Sequence, residues 1–324
     1  MARDVELLLG DHVLEHGDML EADLVQGRLY GKEGAPVILI PGGISASRFI
    51  CDEPETGPQV GSNWWPELVH AGGAIDLDKF QVLGLDLAPS GTNAHKRLTI
   101  TTNDQAKRMA ALLDHLNIPK VRAIIGTSYG GMVSLAFAQN YGEKVERLCL
   151  LGAAHRPFPM GVGLRGIQRK IVEFGLEVGR PEEGLKLARQ LAMTTYRSPE
   201  EFTQRFKGTP TATSPFCFDV GDYLSACGDR YPAAMAVERF MALSESIDLH
   251  CVDPAKITTD TLLIATRSDQ LAPPSEIQLL HDGLAGPSEM ITIDSLFGHD
   301  SFLKETKTLA PLLSQFITKA SHAK

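Results

Sequence analysis

The chain has 324 residues, with 31 Lys plus Arg against 40 Asp plus Glu and a net charge of −9. Hydrophobic residues make up 43% and charged residues 22%, the proportions of a soluble globular protein long enough to bury a sizeable core. That acidic balance argues against nucleic acid or an anionic membrane as the main partner, and an anionic ligand would need a local basic patch.

The N-terminal MARDVELLLGDH is charged within four residues and its apolar run is only LLL. A secretory signal needs a basic start and a longer apolar stretch, and no segment approaches the roughly 20 apolar residues of a membrane span. Cys51, Cys149, Cys217, Cys227 and Cys251 are odd in number, scattered and never in CxxC, the usage of reduced thiols with no disulfide framework and no metal site. The expectation is a cytoplasmic protein with no membrane or nucleic-acid partner.

Short apolar runs follow in chain order: Pro36–Ile40, Phe80–Leu85, Val121–Ile125, Arg147–Leu151 and Thr261–Ala265. Their continuous rather than alternating hydrophobicity predicts strands buried on both faces of a parallel sheet. Between them, Asn103–Leu116 carries apolar positions three and four apart, a helical pattern. From about Ala153 to His250 the chain becomes polar and reads mostly as helices, over Leu164–Phe174, Pro181–Thr195 and Ser198–Phe206. Within it, GVGLRG at Gly161–Gly166 matches GxGxxG formally, but RPFPM precedes it where a phosphate-binding turn needs a strand; it reads as a flexible entry to the helical stretch.

The strand VRAII runs into Gly126-Thr127-Ser128-Tyr129-Gly130 and then a helix-like GMVSLAFAQNY. This is G-x-S-x-G in the strand–turn–helix setting of a nucleophile elbow, where side chains two residues either side of the serine would collide. The turn aims the Tyr129 amide at a developing oxyanion. A serine hydroxyl needs a base held by a third group, and in the α/β-hydrolase fold the chain order is Ser, acid, His. Asp269, on the loop after TLLIA, and His299, in LFGHDSFLK after the apolar EMITID, meet that order. His155, His250 and His281 lack that position, as do Asp253, Asp260 and Asp294. The second oxyanion donor belongs on the loop after an early strand, in ILIPGGISAS, where Gly43 is favoured and Gly42 and Ile44 remain alternatives. The expected architecture is an α/β-hydrolase fold: a mostly parallel sheet flanked by helices, residues 1–152 and 251–324 forming the core and 153–250 an inserted helical lid.

NWWPELVHAGGAIDLDKFQVLGLD, the GTSYGGMV elbow, LARQLAMTTYRSPEEFTQRF, TRSDQLAPP and GHDSFLK, in that order, resemble the homoserine O-acyltransferase family of methionine biosynthesis. The family's usual Gly-Trp-Trp stands here as Asn63-Trp64-Trp65. The resemblance implies an acyl-enzyme on Ser128 formed from an acyl-CoA and attacked by the hydroxyl of L-homoserine, with no bound cofactor and a homodimer joined through the lid. It also implies an amino-acid site at Arg189, Tyr196 and Asp300; the bland alternatives are a solvated helix arginine and a helix cap. Succinyl-using members resemble this chain in carrying an arginine at the place of Arg165 in LRGIQRK, with AHRPFP before it and LSESIDLHCVDP after, so succinyl-CoA is the expected donor and Arg165 its selector. Acetyl transfer, serine as acceptor, and a plain esterase or thioesterase are the rival expectations.

Overall fold

The computed structural model describes residues 2–59 and 61–319, so residues 1, 60 and 320–324 of the expected core range lie outside the described residues. The main sheet has eight strands: β1 (Arg3–Val13), β2 (Met19–Tyr30), β3 (Val37–Leu39), β4 (Gln81–Leu85), β5 (Ala123–Thr127), β6 (Arg147–Leu151), β7 (Asp260–Thr266) and β8 (Ser288–Ile293). Their order across the sheet is β1-β2-β4-β3-β5-β6-β7-β8. From β4 to β8 all neighbours are parallel, with Leu39 opposite Ile124 and Leu263 opposite Leu150, while β1–β2 and β2–β4 are antiparallel. Strands β3 to β7 are the expected ones, each buried along nearly its whole length because helices cover both sheet faces, while the parallel edge strand β8 is mostly half-exposed. The β1–β2 hairpin was not anticipated: its outer strand is half exposed and its apolar residues alternate with charges.

On one sheet face, α1 (Thr102–His115) and α2 (Tyr129–Asn140) pack Met109, Leu112, Leu113, Val133 and Phe137 into one apolar cluster. On the other, Trp65 and Leu68 meet Leu309, Leu313 and Phe316 of α10 (Thr306–Thr318), with α8 (Pro274–Gly283) and α9 (Ser301–Lys304) preceding it in the chain. Asn63, the first residue of Asn63-Trp64-Trp65, adopts φ +48°, a left-handed conformation that asparagine reaches more readily than other side-chain-bearing residues.

Between β6 and β7 lie α3 (Pro159–Glu177), α4 (Pro181–Tyr196), α5 (Pro199–Arg205), α6 (Asp219–Asp229) and α7 (Val237–Leu249), plus a small hairpin, Pro210–Thr213 with Phe216–Phe218, absent from the sequence reading. The GVGLRG stretch is not a flexible entry: it forms the first turns of α3, which starts on Pro159, and proline at a first helical position is preorganised for that start. Where α3 meets α4, a Cβ on Gly175 would stand 3.0 Å from the Gly184 Cα, so the two helices touch backbone to backbone. Val172, Leu185 and Phe240 from this region join the apolar cluster of the first sheet face. Among the described residues no helix is long and apolar enough to cross a membrane.

Candidate active site

Ser128 sits between the end of β5 and the start of α2 at φ +51°, ψ −122°, a backbone conformation L-residues rarely adopt. The flanking glycines make it reachable. A Cβ on Gly126 would lie 2.7 Å from the Gly131 Cα, and one on Gly130 would run into the Pro41 carbonyl. The Tyr129 amide opens α2, where helical amides lack an intrahelical acceptor. Gly43 lies across from it: a Cβ there would be 3.8 Å from the Ser128 Cβ. The loop leading out of β3 thus passes beside the serine.

The loop after β8 carries His299, whose Nε2 is 2.7 Å from Ser128 Oγ and whose Nδ1 is 2.7 Å from Asp269 Oδ2. The other Asp269 oxygen accepts the Leu271 and Ala272 amides at 2.8 and 3.0 Å, so the carboxylate is fixed on both sides. With Nδ1–H donating to Asp269, Nε2 is left to accept the serine proton. Burial pushes the His299 pKa down, but the charge and hydrogen bond of Asp269, aided by Asp300, outweigh it and the net shift is upward. The three residues chosen from chain order therefore meet at hydrogen-bond distance. The discarded candidates are engaged elsewhere: His250 with Thr102, His281 with Ser288, Asp260 with Arg147 and Asp294 with Arg267.

Two cavities open on Ser128 and His299. The first, about 50 Å³, has apolar walls that include Met132, Phe240 and Ile247, and a polar end formed by Arg165, Gln168 and Ser244. Arg165 is not on the surface; its side chain is 12% exposed. Its Nε donates to Asp248 Oδ1 at 2.7 Å, and Arg169 Nη1 stands 2.7 Å from Asp248 Oδ2 while donating to Ser244 Oγ at 2.9 Å. Two guanidiniums thus share one carboxylate, and among the described residues no second carboxylate lies within ion-pair distance of either. The cluster carries an excess of one positive charge beside the serine.

The second cavity, about 240 Å³, is lined by Gly43, Trp64, Ser128, Arg189, Tyr196 and Asp300 among others. Arg189 and Tyr196 lie two turns apart on α4, with the guanidinium 5.2 Å from the Tyr196 ring centre and 4.6 Å from that of Tyr231. Among the described residues Arg189 has no ion pair and no hydrogen bond, and burial opposes its charge while Tyr196, Tyr231 and Asp300 support it. Asp300 does not cap α9 with its side chain. Its Oδ2 is 2.9 Å from Arg197 Nε, and burial raises its pKa against the pull of Arg197, His299 and Arg189.

Arg197, Tyr231 and Asp248 were not singled out in the sequence. Arg197 lies inside the TYRS segment and was within reach of that motif. Asp248 lies inside the LSESIDLHCVDP segment and was within reach of it, whereas Tyr231 carries no local signal; only the folded chain brings them to Arg165 and Arg189.

A family profile for the α/β-hydrolase fold matches residues 35–306. A homoserine O-succinyltransferase from Xanthomonas campestris pv. campestris is 38% identical over 290 residues, 88% of this chain and 76% of that protein. A homoserine O-acetyltransferase from Geobacter sulfurreducens is 27% identical over 85% of this chain and 83% of its own length. The crystal structure of a homoserine O-acetyltransferase from Bacillus anthracis superimposes with a TM-score of 0.87 over all of both chains at 17% identity, a likeness of fold. An identity of 38% sustained along nearly nine-tenths of the sequence is more than a shared scaffold would leave, and the chain belongs to the homoserine O-acyltransferase family of α/β-hydrolase enzymes.

Proposed function

We propose that the protein transfers a succinyl group from succinyl-CoA to the hydroxyl of L-homoserine through an ester on Ser128. The observation that carries the donor is the positive charge of Arg165, which lines the cavity that ends at the serine and shares a single carboxylate, Asp248, with Arg169. An acyl group ending in a carboxylate neutralises it; an acetyl group leaves it unpaired and desolvated, which is costly. The name of the Xanthomonas relative supports the same donor.

In the first half-reaction Ser128 Oγ attacks the thioester carbonyl as His299 Nε2 takes its proton. The amides of Gly43 and Tyr129 hold the tetrahedral oxyanion. Collapse breaks the C–S bond, and the thiolate leaves with the proton from His299. In the second, the homoserine hydroxyl gives its proton to His299 and attacks the ester, and Ser128 leaves with that proton. Asp269 keeps the imidazole in the required tautomer throughout. Arg189, held between two tyrosine rings without an acid partner, receives the α-carboxylate, and Asp300 faces the α-ammonium.

Residues 153–250 act as the lid on a core of 1–152 and 251–324. Met160, Ile167 and Phe174 form an exposed seam at heptad spacing along α3, which supports a homodimer joined through that helix. The setting is the cytoplasm, where acyl-CoA thioesters and free amino acids are both at hand.

The test measures CoA release from succinyl-CoA and acetyl-CoA with L-homoserine, with products identified by mass. Succinyl-CoA should be preferred, Ser128→Ala should lose at least about 10³-fold in rate, and Arg165→Leu should move the preference towards acetyl-CoA by about 10- to 100-fold. A wild-type preference for acetyl-CoA would return the chain to the acetyltransferase reading, and CoA release independent of homoserine would make it a thioesterase.

A further inference from the structure

An acyl-CoA carries several phosphate charges at the end of the molecule remote from its thioester, and this chain is acidic overall, so that end needs cations gathered in one place. The proposed function assigns the two cavities at Ser128 to the acyl group and the acceptor. Ile44 lines both of them and also a third, larger cavity of about 780 Å³ that leads away from the serine past Ser45 and Ala46.

The far walls of that cavity come from the turn Ser90–His95 and from Arg230–Arg239, which runs from the end of α6 into the first turn of α7. They carry Arg230, Arg239 and His95 against a single carboxylate, Asp86, and that carboxylate is already paired with Arg48. Arg239 is part-buried. Its Nη2 donates to the Leu87 carbonyl at 3.0 Å and its Nη1 rests 3.9 Å from Met235 Sδ, but among the described residues no carboxylate is within ion-pair distance. Burial pushes its pKa down, as for a cation whose counter-charge is missing. The other large cavity, about 790 Å³, lies on the outer side of Asp269 and has the opposite character. It is lined by Glu200, Asp269, Asp294 and Glu305, and its Arg267 is taken by Asp294 at 2.6 Å.

We propose that the cavity between Ser45–Ser47, Ser90–His95 and Arg230–Arg239 holds the phosphorylated nucleotide end of the acyl-CoA, its thiol arm passing Ile44 to reach Ser128. This rests on acyl-CoA being the donor. Arg239 supplies a part-buried charge and Arg230 an exposed one, with the His95 ring and the Ser90 hydroxyl beside them as further donors to phosphate oxygens.

The experiment compares two donors, succinyl-CoA and succinyl-N-acetylcysteamine, which has the same thioester but no phosphate or nucleotide. Initial rates are taken for wild type, Arg239→Gln, Arg239→Lys, Arg230→Gln and His95→Gln. Wild type should prefer the CoA thioester through a lower KM. That preference should fall at least tenfold in Arg239→Gln and at least threefold in Arg230→Gln and His95→Gln, with Arg239→Lys keeping more of it than Arg239→Gln. Should the part-buried substitution fail to fold, the two exposed ones carry the test. Equal losses with both donors, or an unchanged KM for succinyl-CoA in every variant that folds, would overturn the assignment. A wild type that accepts neither thioester would overturn the acyl-transfer reading, and this site with it.

Discussion

His299 is buried against Asp269 and within the field of Asp300, and its pKa is raised even though burial opposes the charged form. A base must be neutral to take the serine proton, so acylation should fall as pH drops through that raised value and level off above it. Asp300 contributes to the rise, so Asp300→Asn should move the acid limb to lower pH. The burst of p-nitrophenol from p-nitrophenyl acetate, measured against pH, reads this limb without involving the acceptor. An acid limb that does not move would mean Asp300 leaves the base untouched. At this scale the sequence was unusually informative about Ser128, because the corner excludes side chains at Gly126 and Gly130 and so writes itself into residue identity. Arg165 was named only through the family resemblance; by its local sequence it looks like a surface arginine until Asp248, 83 positions later, arrives to hold it.

The elements that were readable are those whose packing imposes a simple pattern. Strands β3 to β7 are covered on both faces and appear as unbroken apolar runs. The β1–β2 hairpin sits at the sheet edge, one face wet, and its alternation is diluted by charges; the hairpin after α5 is largely exposed and has no apolar pattern at all. Helix α1, legible by periodicity, is also closed at its start by a reciprocal cap. Thr101 Oγ1 accepts the Asp104 amide at 3.2 Å while Asp104 Oδ2 accepts the Thr101 amide at 2.9 Å. Removing the hydroxyl in Thr101→Ala leaves helix amides without an acceptor and should cost about 1 kcal/mol, up to about 2. Urea unfolding with an unchanged slope and a lower midpoint is the expected result.

For the molecule as a whole, the response to acid turns on His250, buried where α7 ends and joined through Nδ1 to Thr102 at 2.9 Å. Burial pushes its pKa down to about 3. In the unfolded chain the same imidazole titrates near about 6.5, so between these values the unfolded state binds the extra proton. Stability should therefore fall as pH is lowered from about 6.5 towards 3, by on the order of 4 kcal/mol if this group acted alone. His250→Gln, which retains a side chain able to bond Thr102, should show a flatter decline in unfolding free energy between pH 7 and 4.5. An identical slope in both proteins would place the acid sensitivity elsewhere.

Gly298 marks the seam between two contributors to one site. At φ +56° it approaches so closely that a Cβ would stand 2.8 Å from the Tyr196 carbonyl, while Ser198 Oγ donates to Leu296 O and Gln270 Nε2 to Arg197 O. On one side of this seam stand Ser128, Asp269 and His299, on turns that follow strands; on the other stand Arg165, Arg189 and Tyr196, all from helices between β6 and β7. The function proposed here thus sets bond breaking on the core turns and draws Arg165, Arg189 and Tyr196 from the inserted helices, with this close backbone approach among the places where the two stretches touch.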